Sequence, residues 1–183
     1  MPRVFLGLGS NAGEARLSLL RAVYQRLAAT SDVEIVDASP LYESEPWESA
    51  PGAGLHEQTW HLNCVIAIET SLPPVDLLSR LQEMEAALGR VRPAGTPEER
   101  RFVPRTVDID ILFYEDLVLS VPDELQIPHL LLHERGFVLR PLADIAPDLE
   151  HPLEYKTIRE LLEALSDEHD VRPAPYPRRW FEG

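Results

Sequence analysis

The order in which two hydrophobic periods follow one another constrains this fold more than any single motif does. "RVFLGLGS" reads as a first strand and runs into a turn cluster, Gly9-Ser10-Asn11-Ala12-Gly13. Leu17, Leu20, Val23, Tyr24 and Leu27 then recur at three- and four-residue spacing, which predicts an amphipathic helix over about residues 14–29. "VEIVDASPLYESEP" is a second extended segment, which Pro40 places at a sheet edge or a bulge. "WHLNCVIAIET" alternates, with Leu62, Cys64, Ile66 and Ile68 on one face and His61, Asn63, Val65 and Ala67 on the other. A second helix follows in "PPVDLLSRLQEMEAALG", with prolines at its start, a stripe of Leu77, Leu78, Leu81, Met84 and Leu88, and Gly89 as its cap. "TVDIDILFYEDLVLS" is a strand with a hairpin continuation.

Strand, helix, strand, strand, helix, strand is the split βαβ order of a ferredoxin-like α+β sandwich built on an antiparallel sheet. Residues 121–165 read as a helical and loop addition, so the expected domain is 1–165. Residues 166–183 read as a tail that is loose unless Trp180 and Phe181 dock. Two Pro- and Gly-containing stretches, 47–59 and 91–104, interrupt regular structure and read as loops.

Within this frame the last strand poses a problem: it is apolar, yet it carries Asp108 and Asp110. On a strand these two side chains share a face about 6–7 Å apart. Paired carboxylates repel, and burying an isolated charge is costly. A hard divalent cation relieves both problems, since magnesium takes oxygen ligands and commonly binds one or two carboxylates together with substrate phosphates. The bland alternative is an exposed face with two solvated aspartates.

Charge sharpens the reading. The chain has 17 Lys and Arg against 31 Asp and Glu, a net charge of −14, which argues against a general nucleic-acid or membrane-surface binder. Against that background Arg90, Arg92, Arg100, Arg101 and Arg105 fall within one short stretch just before the aspartates. Guanidinium forks match phosphate oxygens and stay charged, so cations on one side and metal ligands on the other suit a metal–polyphosphate complex. Simple charge balance with Glu98, Glu99 and the two aspartates is the competing account.

Other signals are weaker. "GLGSN" lacks both the dinucleotide and the Walker spacing. His129 and His133 stand four apart, but the Glu of H-E-x-x-H is missing. The Asn63 amide could read the edge of a heterocycle or simply sit at a sheet edge. Cys64 is the single cysteine, which excludes a disulfide framework and a cysteine zinc site and suits a small core residue. The N-terminal apolar run is too short for a signal peptide or a membrane span, so a reducing, cytoplasmic compartment is expected.

In order along the chain stand "LGSN", "YESEP", "HLNCVIAIETSL", "LQEMEAALGRVR", "PRTVDIDIL", "PH" and "RGFVLRPLADIAP". Together they resemble the 6-hydroxymethyl-7,8-dihydropterin pyrophosphokinase family of folate biosynthesis, over about residues 4–165. The resemblance implies transfer of the β,γ-pyrophosphoryl group of ATP to the pterin hydroxymethyl oxygen with release of AMP. It implies two Mg²⁺ ions on Asp108 and Asp110, with Arg90 and Arg105 as catalytic arginines. It places ATP against Gln82, Glu85, Arg92, Phe102, Arg105, Ile111, His129 and Arg135. It places the pterin against Ser44, Pro46, Trp47, His61, Asn63, Phe102 and Phe137, with Phe137 stacking on the ring.

The two loops would then act as lids that keep water from ATP. Phe102-Val103 stands where the family usually has Trp-Gly, His61 where a Tyr is common, and Ser44 where a Thr is usual. The expected protein is a monofunctional monomer with two small-molecule substrates. Two rival readings are a nucleotide-sugar transferase, which also uses D-x-D, and a non-catalytic pterin- or nucleotide-binding module.

Overall fold

The structure, a computed structural model, describes residues 1–47, 51, 60–89 and 106–183. Strand β1 (Arg3–Ser10), helix α1 (Arg16–Ala28), strands β2 (Val33–Ala38), β3 (Tyr42–Ser44) and β4 (His61–Thr70), helix α2 (Pro74–Ala87) and strand β5 (Asp108–Tyr114) form the expected βαββαβ unit, with β2 and β3 together in the place of its second strand. After it come β6 (Leu119–Val121), β7 (Leu125–Ile127), α3 (Gly136–Ile145), β8 (Glu150–His151), β9 (Lys156–Thr157), α4 (Ile158–Glu163) and β10 (Val171–Pro173).

The main sheet is antiparallel in every pairing and runs β10–β3–β4–β1–β5, with β2 also on β4. Strand β4 is its centre. It pairs with β1 along one side from Ser10↔Leu62 to Arg3↔Glu69, and with β2 and then β3 along the other. The second extended segment is thus two strands rather than one, broken next to Pro40. Ser39 bridges the break: its N–H donates to the Val65 carbonyl at 2.8 Å, and its hydroxyl accepts from the Val65 N–H at 2.9 Å.

The alternation in β4 sorts its side chains into two cores. Leu62, Cys64, Ile66 and Ile68 join Leu6, Leu8, Ile109 and Ile111 beneath α1 (Leu20, Val23, Leu27) and α2 (Leu77, Leu81, Met84). Val65 and Ala67 join Phe5 and Phe113 beneath α3 (Val138, Leu139, Leu142) and α4 (Ile158, Leu161). Each such large apolar side chain contributes about 1.5–3 kcal/mol when fully buried, so the two helical layers hold the sheet from both sides. Pro74 starts α2 without losing a bond, and Gly89 takes the left-handed conformation (φ 89°) just past its end.

One expectation is corrected. The continuation after β5 does not fold back on β5; β6 pairs with β7 in a separate two-stranded sheet. Alternation marks a strand but not its partner, which is why the sequence misplaced it. The condition set for the tail is met, since Trp180 and Phe181 dock: β10 pairs with β3, Trp180 is fully buried and its indole N–H donates to the Ser39 carbonyl at 2.9 Å. Phe181 stacks on Tyr24 with centroids 4.4 Å apart, and the Arg21 guanidinium holds the Trp180 carbonyl at 2.6 Å. The tail covers an open strand edge and an apolar side of α1 together.

Candidate functional site

The helices on one face of the sheet cover only half of it. Strand pairing sets Asp108 opposite Gly9 and Asp110 opposite Gly7 on β1; on the far side of β1 the partners are Asn63 and Val65 of β4. Residues directly opposite in an antiparallel pair share a face, so Asp108, Gly9 and Asn63 form one row across three strands. Phe5, Val65, Ala67 and Phe113 make the apolar half of this face beneath α3, and the row of Asp108, Gly9 and Asn63 makes a polar half.

Gly9 keeps the row flat, because a Cβ there would lie 3.0 Å from the Asn63 Oδ1. Asn63 is 4% exposed and belongs to an interior strand, not to a sheet edge. Its Nδ2 donates to the hydroxyl of the buried Ser44 on β3 at 2.8 Å, which fixes the amide plane. His61 pairs with Ser44 and is half-buried. Tyr42, opposite Asn63, sends its hydroxyl to Asp144 Oδ2 at 2.6 Å and so ties β3 to α3. Burial and the Asp144 carboxylate push the Tyr42 phenol up to about 12, so it stays a donor at neutral pH.

Where β3 leads out of the sheet, Pro46 is buried and Trp47 half-buried. The Arg135 guanidinium lies 4.7 Å from the Trp47 ring centre and 5.6 Å from that of Phe137. A cation held against two aromatic faces is attracted by both ring quadrupoles. The residues expected around a pterin therefore form two contacting groups, Ser44 with Asn63 and Trp47 with Phe137, the second joined through Arg135. A cleft of about 450 Å³ lies beside Trp47, lined on its other side by Asp167 and His169.

The aspartates sit at the start of the edge strand β5, Asp108 half-buried and Asp110 exposed. Glu85 of α2 is 3% exposed, and its Oε1 accepts from the Ile109 N–H at 2.7 Å, between the two aspartates. Gln82 stands three residues earlier on the same helix, half-buried. Ile111 points to the opposite face and is buried in the core under α2, leaving only its main chain to offer a ligand. His129 is pinned by its N–H to the Leu112 carbonyl at 3.0 Å. Burial lowers its pKa below the ordinary value; the Asp110 carboxylate opposes this, and the Arg135 charge adds to it. Asp110, His129 and Arg135 thus lie within one electrostatic neighbourhood. His133 belongs elsewhere, 3.6 Å from Glu134 and beside His151.

The donor set at Asp108 and Asp110 is two carboxylates, all oxygen, on one face of a strand. Among the described residues no three His, Cys, Asp or Glu side chains converge as a protein-only metal cage. A pair of oxygen donors fits magnesium, which keeps room for waters and phosphate oxygens, better than it fits zinc. Burial pushes the Cys64 thiol well up, so it is a core group and not a nucleophile. Arg90, Arg92, Arg100, Arg101, Phe102 and Arg105, and most of the two candidate lids, lie outside the described residues.

Sequence reading missed Asp167, His169 and Glu45. Asp167 Oδ2 accepts from the Gly136 N–H at 3.1 Å, and Glu45 Oε2 accepts from the Asp170 N–H at 2.8 Å. The acidic spacing of "SDEHD" hinted at Asp167 and His169 without naming a partner, and nothing in "YESEP" singled out Glu45.

Residues 5–147 match the family model described as 7,8-dihydro-6-hydroxymethylpterin-pyrophosphokinase. A 2-amino-4-hydroxy-6-hydroxymethyldihydropteridine pyrophosphokinase of Methylorubrum extorquens is 44% identical over 90% of this chain and 94% of its own. One of Pseudomonas aeruginosa with the same name is 41% identical over 88% of this chain and 91% of its own. A crystal structure of a Plasmodium falciparum HPPK-DHPS triple mutant superposes with a TM-score of 0.66 at 16% identity, covering 89% of this chain and 43% of that one. That last likeness concerns the fold alone.

Proposed function

This chain belongs to the 7,8-dihydro-6-hydroxymethylpterin-pyrophosphokinase family, and from that membership we propose how its residues divide the work of the reaction. It transfers the pyrophosphoryl group of ATP to the hydroxymethyl oxygen of 6-hydroxymethyl-7,8-dihydropterin in folate biosynthesis. The acceptor oxygen loses its proton and bonds to the β-phosphorus, the bond from that phosphorus to the bridging α,β-oxygen breaks, and AMP leaves.

Alignment and charge stabilisation dominate such a transfer, and no covalent nucleophile is required. Asp108 and Asp110 would hold magnesium, two ions in the full complex, and the metal would supply positive charge against the triphosphate. Arg90 and Arg105 stabilise charge on the transferred group. Gln82, Arg92, Phe102, His129 and Arg135 contact the nucleotide, Ile111 through its main chain. Glu85 acts there by holding the strand between the aspartates. Ser44 and Asn63 read the polar edge of the pterin, and Phe137, with Trp47, Pro46, His61 and Phe102 around it, supplies the flat apolar contact.

The single observation that carries this reading is the row Asp108–Gly9–Asn63. It sets a candidate cation site and a candidate heterocycle-reading amide on one flat face, with one strand between them. Residues 1–165 form the catalytic domain and 166–183 a docked tail; the protein works as a monomer in the cytoplasm without nucleic-acid or membrane partners. No described helix is long and apolar enough to cross a membrane. Incubation with Mg-ATP and the hydroxymethyl pterin, followed by nucleotide analysis, tests the assignment. AMP and a pterin diphosphate in equal amounts are expected; a nucleoside diphosphate, or no pterin-dependent AMP, refutes it.

A further inference from the structure

The C-terminal segment meets both groups of pterin-side residues at once. Helix α3 begins at Gly136 between Arg135 and Phe137, and its first turn has no capping side chain from its own end. The carboxylate of Asp167, thirty-one residues away, takes that place through the Gly136 N–H at 3.1 Å. The fit is close: a Cβ on Gly136 would lie 3.2 Å from Leu165 and 3.5 Å from both Asp167 and Val171.

The other oxygen of Asp167 accepts from the His169 N–H at 3.1 Å and meets His169 Nδ1. The His169 ring in turn lies 6.3 Å from that of Trp47. Immediately beyond, the Asp170 N–H donates to Glu45 at 2.8 Å, the Glu45 N–H donates to the Asp170 carbonyl at 3.0 Å, and Val171 pairs with Ser44. The side chains of Asp167 and His169 are only 5% and 11% exposed, so these contacts form a packed joint.

We propose that Asp167, seconded by His169, is a positioning residue of the substrate site. It locks the Arg135–Gly136–Phe137 start of α3 against the Ser44–Trp47 segment, so that Phe137 and Trp47 are set for a flat heterocycle before it arrives. The docked tail is therefore part of the binding apparatus, although neither residue touches substrate. Helix capping holds a helix end in one orientation, and pre-orientation of binding groups lowers the ordering cost of association.

This inference rests on the pterin placement proposed above, and the test separates the two. Steady-state kinetics are measured for wild type, Asp167→Ala, Asp167→Asn, Glu168→Ala and Phe137→Ala, varying pterin and ATP independently. Asp167→Ala is expected to raise the KM for the pterin about five-fold or more while changing that for ATP less than about two-fold. Asp167→Asn, which keeps an acceptor for the Gly136 N–H, is expected to recover part of the loss, and Glu168→Ala to behave as wild type. An unchanged pterin KM in folded Asp167→Ala overturns the inference. An equal rise in both KM values also overturns it, since that marks general loosening. If Asp167→Ala does not fold, Asp167→Asn and His169→Phe decide by the same criterion. Wild-type AMP formation with unaffected Phe137→Ala would overturn the pterin placement itself. A sensitive Phe137→Ala beside an insensitive Asp167→Ala would remove this inference alone.

Discussion

Glu85 Oε1 accepts a hydrogen bond from the Ile109 N–H at 2.7 Å, so a helix carboxylate grips the edge strand between its two aspartates. Leaving that amide without its acceptor costs about 1–3 kcal/mol when the donor is buried. Glu85→Ala is therefore expected to lose that much stability in urea denaturation and to lower kcat by freeing Asp108 and Asp110. Glu85→Gln, which keeps an acceptor of the same reach, should retain most of both. Equal stability of the two variants would remove the clamp.

Asp108→Ala and Asp110→Ala should each cut pterin-dependent AMP formation by about 10²-fold or more, the scale seen when a charge-stabilising group is lost from a transfer site. Asp110 is exposed, so its replacement should leave stability within about 0.5 kcal/mol. Nucleotide analysis beside a thermal melt checks both statements, and near-normal turnover in either variant contradicts the metal assignment.

Gly9→Ala puts a methyl group 3.0 Å from the Asn63 Oδ1. Displacement of the amide should raise the pterin KM about ten-fold, about 1.4 kcal/mol, with a much smaller change for ATP. Titration of the folded variant with pterin reads the effect directly.

Trp180→Ala removes a fully buried indole and its bond to the Ser39 carbonyl. Loss of a buried tryptophan costs about 3–5 kcal/mol, so the denaturation midpoint should fall sharply. A change under about 1 kcal/mol would mean that the tail is dispensable for stability.

Burial alone would raise the Asp167 pKa, but the His169 side chain, the Gly136 N–H and the His169 N–H outweigh it and hold the carboxyl below its ordinary value of 3.8. A carboxylate with a depressed folded-state pKa stabilises fully above its unfolded value and loses that contribution as pH falls through the folded one. Wild type should therefore lose stability below about pH 4 more steeply than Asp167→Asn does. Parallel acid limbs in urea melts between about pH 2 and 6 would contradict it.

Much of the fold was legible because its signals are local. The two-residue period of β4 sorted Leu62, Cys64, Ile66 and Ile68 from Val65 and Ala67, and both cores follow that division. The shared face of Asp108 and Asp110 follows from the same period. Partners across long sequence separation were not legible. Nothing near Trp180 names Ser39, and nothing near Asp167 names Gly136, since hydrogen-bonding capacity at one position does not specify its mate. Glu85 shows the same limit: resemblance pointed to it, but only the packing of α2 on β5 assigns its carboxylate to the Ile109 amide.

Strand β4 has bonded neighbours along both flanks. Its amide protons can then exchange with heavy water only through openings that disrupt the sheet at large, whereas short peripheral ladders such as β8–β9 are free to fray. Asn63 rides on this slowest-opening backbone. The amide proposed to read the pterin edge therefore keeps its place while the margins of the molecule breathe, and an arriving heterocycle would meet the same surface each time.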